Sequence, residues 1–552
     1  MRMHGAVSFC VCAHSQQKKT KALAALPMLN KSSLPLMKTY KYLQSQYPLW
    51  LNFVLGGLMV LALPPLGMWW LVWLSMPLFF ISLDNYRDAH PVKIFWRAWA
   101  FHFGFFLFGL YWMGHAFLVE ADGFLWLMPF AVVLLPAGLA IFYGLASLMW
   151  LFAIRRHASP PLARLFLFIA MMVLADYVRG HVLTGLPWNL TGMIALSWLP
   201  IAQSAAIWGV YGLGIVIWVV GLLPVIFRHH KAVAGVLVLG LVGLAATGYL
   251  RLQAGEAEDK AEAPVVRIVQ PHIVQTDKWD PALRRAHIEK IVTLSAQLSG
   301  QKPDIIIWPE TAMPVLLDRE ESVRQFIDTR LPQDVPVITG SVRRDVAEVS
   351  GRVHSYNSLF VIQNGDVIAS YDKHHLVPFG EYLPFQSLLE AMGLRQLTQL
   401  RGGFTPGPGA VVLKPGWMPS FMPLICYEVI FPATDLDHTR PKWLVNVTND
   451  AWFGRSAGPW QHFAMARMRS IEMGLPMARA ANTGVSAMIS AKGVVLDFLA
   501  LGEAGVLDVV LPPPMERTIY ARFSDFLFFI LIGMLTAPLF VFKAPERDVD
   551  CL

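Results

Sequence analysis

The segment Asp304-Ile-Ile-Ile-Trp-Pro-Glu310 decides what kind of domain the second half of the chain contains. A short β-branched run is typical of a strand, and Pro309 cannot continue a sheet ladder, so Glu310 is expected just beyond the strand end. In layered α/β folds, strand ends deliver reactive side chains. The stretch from Arg251 to Phe523 alternates such runs with charged helical patterns and Gly/Pro turns, which predicts a globular α/β domain. Taken alone, Glu310 also fits an ordinary solvated glutamate.

Three further segments share this pattern of an apolar run that stops at polar residues. They are Tyr371-Asp-Lys-His-His-Leu-Val-Pro-Phe-Gly-Glu381, Phe421-Met-Pro-Leu-Ile-Cys-Tyr-Glu428 and Trp443-Leu-Val-Asn-Val-Thr-Asn-Asp-Ala-Trp-Phe-Gly454. Each has a simpler alternative. The first segment could be a charged surface loop, the second could hold an inert buried cysteine, and Asn449-Asp450 of the third could be a plain turn. His374 and His375 lack the spacing and the partners of a zinc site, so no metal site is predicted.

The joint occurrence of these segments points to one kind of chemistry. A thiol such as Cys426 needs a base to become a thiolate, and a carboxylate such as Glu310 serves if its surroundings raise its pKa. A lysine such as Lys373 offsets the charge and donates a hydrogen bond to the oxyanion that forms when a carbonyl is attacked. Glu, Lys and Cys at successive strand ends therefore predict an acyl-transfer site with a thiol nucleophile.

The composition places the first half of the chain in a membrane and excludes a disordered chain or a disulfide scaffold. Of 552 residues, 55% are hydrophobic and only 15% are charged, against about 25% charged in soluble domains. The apolar excess lies in runs of the length that about 30 Å of hydrocarbon demands. We predict eight spans, at residues 49–63, 68–83, 98–119, 124–154, 163–178, 201–227, 232–250 and 524–543. The first two are short and flank Pro64-Pro65, so they alternatively form one broken hairpin.

Loop charges orient this bundle, because Lys and Arg near span ends are retained on the cytoplasmic side. With the N-terminus inside, the inside loops and the tail carry most of the basic residues, namely Arg87, Lys93, Arg97, Arg155, Arg156, Arg164, Arg228, Lys231, Lys543 and Arg547. The outside loops carry only Arg179, with Glu120 and Asp122. The asymmetry predicts that the α/β domain lies outside the cytoplasm, in a bacterial periplasm.

Residues 1–36 do not fit the pattern that follows them, and Met37 would make a natural start just before the first span. We expect residues 1–45 to be a disordered leader or an over-extended start. Cys10 and Cys12 lie in this leader and Cys551 is the penultimate residue, which leaves Cys426 as the only cysteine of the α/β domain. A single cysteine there has no internal disulfide partner.

Together the motifs resemble the nitrilase (carbon–nitrogen hydrolase) superfamily and, within it, the bacterial apolipoprotein N-acyltransferases. The matching pieces are Trp279-Asp-Pro281, Trp308-Pro-Glu310, Lys373-His-His-Leu-Val-Pro-Phe-Gly-Glu381, Cys426-Tyr-Glu428, Asn449-Asp-Ala-Trp-Phe-Gly454, Gly458-Pro-Trp-Gln-His-Phe-Ala-Met-Ala-Arg-Met-Arg469 and Arg179-Gly-His-Val-Leu-Thr-Gly-Leu-Pro-Trp188. The resemblance covers residues 45 to 545 and is specific, since soluble nitrilases share the Glu/Lys/Cys set but lack the spans. It implies a polytopic α-helical membrane bundle of about eight spans plus an α/β nitrilase-like αββα sandwich.

The implied domains are a leader (1–45), a seven-span bundle (46–250), a periplasmic catalytic domain (251–523) and a last span with a cytoplasmic tail (524–552). By resemblance, Glu310 is the general base, Lys373 stabilises the oxyanion and Cys426 is the nucleophile that becomes a thioester. The supporting and substrate-facing residues that the resemblance implies are Trp279, Glu381, Tyr427, Glu428, Asn449 and Arg479. Arg479 alternatively is a plain helix-end arginine.

The resemblance also implies the reaction and its partners. A membrane phospholipid donates an acyl chain to the α-amino group of a diacylglyceryl-cysteine apolipoprotein, by a monomeric enzyme in the bacterial inner membrane, without a cofactor or nucleic acid. One alternative is a membrane-tethered nitrilase or amidase that hydrolyses a small amide. A transporter with an accessory periplasmic domain is a second, but the span interiors offer little beyond His102, His115 and Asp176 to line a path.

Overall fold

The computed structural model describes residues 35–119, 125–157, 159–255, 263–298, 301–346, 353–391, 403–432 and 439–541. Most of the predicted leader, the cysteines other than Cys426, and the predicted loop and tail charges Glu120, Asp122, Lys543 and Arg547 lie outside the described residues. The chain divides into a short N-terminal unit, residues 1–51, and a large unit, residues 52–552. The described part of the short unit is mainly helical.

Apolar helices occupy the first half of the chain. In chain order they are α1 (Pro35–Gln46), α2 (Pro48–Val60), α3 (Val72–Asp84), α4 (Pro91–Leu110), α5 (Gly114–Val119), α6 (Met128–Arg156), α7 (Pro161–His181), α8 (Leu199–Ala202), α9 (Ala205–His229) and α10 (Lys231–Gln253). Short 3-10 turns at Trp69–Leu71, Tyr111–Met113, Leu125–Leu127, Val182–Thr184 and Thr191–Ser197 extend or connect them.

Five helical stretches of the described chain are long and apolar enough to cross a membrane: Pro91–Val119, Leu125–Arg156, Pro161–Thr184, Ala205–His229 and Lys231–Gln253. They correspond to five of the predicted spans, so a membrane-spanning helical part is confirmed. The other three predictions correspond to shorter apolar helices, Pro48–Val60, Trp69–Asp84 and Phe526–Thr536. A helix of 13 residues rises only roughly 20 Å against about 30 Å of hydrocarbon. The count of eight spans therefore stays a prediction.

The prediction that Arg179 lies in an outside loop is wrong. Arg179 lies in the last turn of α7, it is 1% exposed, and its NH2 atom lies 2.8 Å from Oδ1 of Asp176. Asp176, one helical turn before Arg179, neutralises the arginine charge inside the protein. Arg179 can therefore be buried within the helix rather than exposed in a loop. The NH1 atom of Arg179 donates to the carbonyl oxygens of Leu186 and Trp188 at 2.6 and 2.8 Å. Arg179 therefore fixes the loop that follows α7.

Two β-sheets form the second half of the chain. Their strands are β1 (Val265–Gln270), β2 (Ile305–Ile307), β3 (Val337–Val346), β4 (Val353–Gln363), β5 (Asp366–Asp372), β6 (Phe421–Ile425), β7 (Trp443–Thr448), β8 (Met477–Ala481), β9 (Ser486–Ile489), β10 (Val495–Leu499) and β11 (Gly505–Val510). The first sheet has the order β11-β1-β2-β3-β4-β5 and the second has the order β10-β9-β8-β7-β6. β1, β2 and β3 are parallel, as are β6, β7 and β8. Parallel strands deliver their carboxyl ends to the same edge.

The remaining helices are α11 (Arg284–Ser295), α12 (Glu321–Arg330), α13 (Gln386–Ala391), α14 (Gly458–Met473), α15 (Ile519–Phe523), α16 (Phe526–Thr536) and α17 (Pro538–Val541). One buried core joins Ile268 of β1 to Val445 of β7, so the two sheets pack face to face. A second core joins Ile306 of β2 to Ile291 of α11. Because strand side chains alternate between faces, adjacent isoleucines of β2 serve both cores. α14 contacts β8 of the second sheet, which gives a helix–sheet–sheet–helix order.

Gln461 of α14 joins the α/β part of the chain to the apolar helical part. Its Oε1 accepts hydrogen bonds from the indole nitrogens of Trp112, at 3.1 Å, and Trp188, at 2.8 Å. The two indoles lie 4.7 Å apart, and Phe453 packs edge-on against both. A buried amide oxygen that satisfies two indole donors fixes the position of both tryptophans.

We expect Gln461→Leu to destabilise the chain, because two buried indole N–H groups lose their shared acceptor. The indole N–H of Trp112 keeps the carbonyl oxygen of Gly109 as an acceptor, at 3.1 Å. The expected cost is therefore that of the Trp188 donor, about 1–3 kcal/mol. Thermal unfolding of the full-length protein in detergent, followed by tryptophan fluorescence, measures the change. Gln297→Leu is the matched control, since the Gln297 side chain is exposed. Equal unfolding midpoints for the two variants would show that Gln461 does not hold the tryptophans.

Candidate active site

Four polar side chains meet in a buried cluster at the strand ends. Nζ of Lys373 lies 2.8 Å from Oε1 of Glu381 and 3.9 Å from Oε1 of Glu310. Nδ2 of Asn357 donates to Oε1 of Glu310 at 2.7 Å and to Oε1 of Glu381 at 3.0 Å. The backbone N–H of Val377 donates to Oε2 of Glu381 at 2.8 Å. Glu381 thus holds Lys373 in place, and Asn357 joins the two carboxylates.

Cys426 begins the 3-10 turn Cys426–Ile430, directly after β6. Its φ is +50°, a left-handed conformation that costs a non-glycine residue about 1–2 kcal/mol. The residue is 8% exposed, and its carbonyl oxygen lies 3.1 Å from Nε2 of His462. The thiol interacts electrostatically with both Glu310 and Lys373. A strained turn between the strand and the helical turn presents the sulfur at the edge of the sheet.

Burial sets the protonation of this site. Burial raises the pKa of Glu310 more than the nearby Lys373 lowers it. Burial alone would lower the pKa of Lys373, but the carboxylates of Glu381 and Glu310 outweigh it, so the pKa of Lys373 is raised and the lysine stays charged. Burial and Glu310 raise the pKa of the Cys426 thiol. The resting site therefore holds a neutral thiol beside a carboxylate with increased proton affinity, the arrangement that a general base needs.

Glu428 ties the loop after Lys373 to the turn after Cys426. Its Oε1 accepts hydrogen bonds from the backbone N–H groups of His374 and His375, at 2.9 and 3.2 Å. Its Oε2 accepts from the backbone N–H of Ile425 at 2.8 Å. Hydrogen bonds such as these and the nearby His374 side chain outweigh burial and lower the pKa of Glu428. A charged Glu428 therefore sets the distance between the lysine loop and the nucleophile turn.

Tyr427 directly follows Cys426, Asn449 directly precedes Asp450, and both side chains are buried. The hydroxyl of Tyr427 donates to the carbonyl oxygen of Gly185 at 3.1 Å, so the residue after the nucleophile contacts the loop that Arg179 fixes. Nδ2 of Asn449 donates to Oε1 of Gln275 at 2.7 Å. Neither residue contacts the Glu310–Lys373 cluster directly in the described hydrogen bonds. Both position loops around it.

Arg479 lies in β8 rather than at a helix end, and it is fully buried. Its NH2 atom donates to Oδ2 of Asp450 at 2.7 Å, and its NH1 atom donates to Oδ1 of Asn446. These contacts make Arg479 a structural partner of Asp450. The sequence pattern alone did not reveal this pairing, because the two residues are 29 positions apart.

The segment that contains Asp450 was predicted to lie at a strand end of the site, but the sequence did not predict the pair that Asp450 forms with His462. Nδ1 of His462 lies 2.8 Å from Oδ1 of Asp450, and Nε2 reaches the carbonyl oxygen of Cys426. Burial alone would raise the pKa of Asp450, but Arg479 and His462 outweigh it and lower the pKa to about 2. Burial lowers the pKa of His462. The pair therefore connects α14 to the nucleophile turn.

Ligand atoms of Cys426, Asp450 and His462 lie within 4.8 Å of one another. The chemistry of this set does not favour a cation, because both nitrogens of His462 have protein partners. The guanidinium of Arg479 also lies against Asp450, where a metal ion would meet like charge.

Two family models match the chain. The apolipoprotein N-acyltransferase N-terminal domain matches residues 55–223, and the carbon-nitrogen hydrolase model matches residues 265–520. An apolipoprotein N-acyltransferase of Rhodopseudomonas palustris is 36% identical over 514 residues, which cover 89% of this chain and 94% of that protein. The chain belongs to the apolipoprotein N-acyltransferase family.

Two other members of this family match the chain with similar sequence identity and similar coverage. The apolipoprotein N-acyltransferase of Bradyrhizobium diazoefficiens is 38% identical over 505 residues, 87% of this chain and 92% of its own. That of Brucella melitensis is 37% identical over 482 residues, 84% of this chain and 90% of its own. The predicted resemblance is thereby confirmed, and so is the combination of a membrane helical part with a nitrilase-like domain.

Trp279, which the family resemblance places near the lipid entrance, lies on the turn after β1. It is 50% exposed, and the next residue back, Lys278, is buried against the Glu310 segment. The same turn therefore carries the exposed indole of Trp279 at the surface and, one residue earlier, the amine of Lys278 against the Glu310 segment. The described hydrogen bonds give the Trp279 indole no partner within the protein.

The strained nucleophile turn gives a prediction that is independent of activity. Cys426→Gly is expected to be more stable than Cys426→Ala by about 1 kcal/mol, because glycine adopts a φ of +50° without steric penalty. Both variants lack the thiol, so the difference reports the strain of the left-handed conformation, reduced by the greater entropy of glycine in the unfolded chain. Unfolding midpoints of the two full-length variants measure it. An alanine variant as stable as the glycine variant would contradict the left-handed conformation.

Proposed function

We propose that this chain transfers an acyl chain from a membrane phospholipid, through a thioester on Cys426, to the N-terminal amine of a diacylglyceryl-cysteine apolipoprotein. The observation that carries the proposal is the buried cluster in which Glu310, Lys373 and Cys426 interact, in a chain of the apolipoprotein N-acyltransferase family. A thiol, a carboxylate of raised pKa and a charged amine are the groups that acyl transfer requires.

The geometry supports a two-stage reaction. Glu310 takes the proton of the Cys426 thiol, and the thiolate attacks the ester carbonyl of the phospholipid. Lys373 stabilises the resulting oxyanion. The carbon–oxygen bond then breaks, Glu310 returns the proton to the departing glycerol oxygen, and the lysophospholipid leaves. In the second stage the lipoprotein amine attacks the thioester carbonyl, and Glu310 accepts the amine proton. The carbon–sulfur bond then breaks, and Glu310 returns the proton to the sulfur of Cys426.

A membrane part next to the site suits lipid substrates. Extraction of an acyl chain from the bilayer costs about 0.8 kcal/mol for each buried CH₂, and a site at the membrane face avoids that cost. We also propose that the chain has eight membrane spans and four parts, residues 1–45, 46–250, 251–523 and 524–552. The catalytic domain, residues 251–523, lies on the periplasmic side of the inner membrane, and the enzyme is a monomer.

Water must be kept from the thioester, since hydrolysis would turn the enzyme into a phospholipase. The aromatic groups around the site support such a barrier. Phe453 packs against Trp112 and Trp188, and Trp188 stacks on His462 with ring centroids 5.6 Å apart. We assign Trp279 to the outer edge of this barrier, where it contacts the lipid.

Product analysis tests the proposed function against a membrane-tethered amidase. The purified full-length chain is incubated with phospholipid labelled in its acyl chain and a synthetic diacylglyceryl lipopeptide with a free N-terminus. The expected product is a triacylated lipopeptide, formed in equal amount with lysophospholipid. An N-acetylated lipopeptide is the control acceptor and receives no label. Release of free fatty acid or ammonia without acylated lipopeptide would overturn the proposal.

A further inference from the structure

Lys278 is a buried amine behind the base that the proposed reaction does not use. It is 3% exposed and lies on the turn after β1. Its Nζ donates to Oγ1 of Thr311 at 2.6 Å and to the carbonyl oxygen of Glu310 at 3.2 Å. Lysine is rarely buried unless it has a partner that needs its charge or its donors.

The backbone of the Glu310 segment is fixed from two sides. On one side a Cβ at Gly340 of β3 would lie 2.3 Å from the backbone nitrogen of Thr311 and 2.7 Å from Cα of Glu310, so only glycine permits this approach. The N–H of Gly340 donates to the carbonyl oxygen of Pro309 at 3.2 Å. On the other side lies Lys278. Thr311 has a φ of +44°, a conformation that such contacts must hold in place.

The charges of the site explain why a cation is suited to this position. Glu310 and Glu381 both lie near Lys373, and transfer of the thiol proton to Glu310 would leave two negative charges in the buried cluster, on Cys426 and on Glu381. Lys278 interacts electrostatically with both Glu310 and Cys426. A second buried cation beside Lys373 brings these charges toward balance, which a low-dielectric site favours.

We propose that Lys278 is a positioning residue that holds the Glu310 segment through Thr311 and whose charge balances the second carboxylate, so that Cys426 can ionise. The proposal rests on the proposed function only in assigning Cys426 as the nucleophile. Trp279 adjoins Lys278 on the same turn. A lipid bound against the exposed indole of Trp279 would therefore contact the turn whose lysine aligns Glu310.

The pH dependence has a defined sign. Burial lowers the pKa of Lys278 to about 8, against the rise that Glu310 and Cys426 cause. Lys278 is therefore charged below pH 8 and loses its charge above it. Among the described residues, His287 of α11 also interacts with Lys278, and burial lowers the pKa of this histidine. Any effect of the Lys278 charge on the thiol is expected below pH 8 and should fade above it.

Two variants separate the charge of Lys278 from its hydrogen bond. Lys278→Gln keeps an N–H donor, one atom shorter, and removes the charge. Thr311→Val keeps the charge and the side-chain shape but removes the acceptor. Lys278→Arg restores a cation. All are made in the full-length chain with Cys10, Cys12 and Cys551 changed to serine, and the rate of Cys426 alkylation by iodoacetamide is measured between pH 6 and 10.

We expect Lys278→Gln to alkylate about tenfold more slowly than the parent at pH 7, which corresponds to one unit of thiol pKa. The difference should shrink above pH 8. Thr311→Val should lower the rate without changing the shape of the pH profile, because it loosens the Glu310 segment but keeps the charge of Lys278. Lys278→Arg should recover most of the rate. If Lys278→Gln does not accumulate in the membrane, Lys278→Asn is the second neutral variant.

Two results would overturn the proposal. One is a Lys278→Gln profile that coincides with that of the parent. The other is a Thr311→Val profile shifted as far as that of Lys278→Gln. This result would show that Lys278 acts only through its hydrogen bond to Thr311 and not through its charge. Alkylation reports the thiol whether or not acyl groups are transferred. A chain that alkylates as expected but acylates no lipopeptide would contradict the proposed function and leave the role of Lys278 intact.

Discussion

Glu310→Gln is expected to reduce formation of the acyl-enzyme by about 10²–10⁴-fold, the usual contribution of a general base. The amide cannot take the proton of the Cys426 thiol, whose pKa is raised by burial and by Glu310 itself. The folded chain should remain stable, because the Gln amide oxygen still accepts from Nδ2 of Asn357. Single-turnover acylation with labelled phospholipid measures the loss.

The pH dependence of the parent adds a second test of the base. Because the pKa of Glu310 is raised, acylation should already fall at a pH above the ordinary range for a glutamate, as the carboxylate becomes protonated. This acidic limb should be missing in Glu310→Gln. Glu289→Gln is the control, since Glu289 is exposed and pairs only with Arg285 in the described contacts. A Glu310→Gln variant that acylates at the parent rate would remove Glu310 from the mechanism.

Lys373→Met is expected to be the most destabilising single change at the site. Lys373 is 1% exposed and pairs with Glu381 at 2.8 Å, so its removal leaves the buried Glu381 carboxylate without its cation. Loss of one partner of a buried ion pair costs about 3–5 kcal/mol. Acylation should be abolished as well, because the oxyanion loses its donor. Unfolding midpoints and acylation rates are measured on the same preparations.

A double variant separates the two effects of Lys373. Lys373→Met combined with Glu381→Gln removes the unpaired charge, and it should recover most of the stability while remaining inactive. The carboxylate that is left, Glu310, can take up a proton, since its pKa is already raised. A double variant that is as unstable as Lys373→Met alone would show that packing, and not the buried charge, dominates the cost.

The strand ends were predictable from the sequence because apolar runs stop abruptly there. Glu310 follows β2, Lys373 follows β5 and Cys426 follows β6, each directly or within a few residues. That regularity follows from burial: a strand inside a two-sheet core tolerates a charged side chain only at its end. The long spans were visible for a related reason, since a run of about 20 apolar residues has the length that a bilayer demands of a helix.

Contacts that depend on distant pairing were not predictable in this way. His462 and Asp450 are 12 residues apart, and nothing in either motif shows that a helical turn will carry the histidine to the carbonyl of Cys426. Arg179 was assigned to a loop because the loop-charge argument treats every arginine as solvent-exposed, and the sequence did not show that Asp176 pairs with it. Lys278 adjoins a recognised tryptophan, but its burial against Thr311 is visible only in three dimensions.

The membrane helices and the catalytic site are parts of one structure. His462 contacts the nucleophile turn, and Trp188 of the membrane part stacks on His462. Gln461, the residue before His462, accepts from that same tryptophan. Through these neighbouring residues of α14, the nucleophile turn is connected to the helical part of the chain.

The most direct test of the account is the mass of the intact protein after incubation with phospholipid in the absence of any lipopeptide. The parent chain is expected to gain the mass of one acyl chain, located on Cys426 by peptide analysis and removed by hydroxylamine, which cleaves thioesters. Cys426→Ser and Glu310→Gln should show no such thioester. An acyl group on another residue, or an unmodified parent that still acylates lipopeptide, would contradict the central claim.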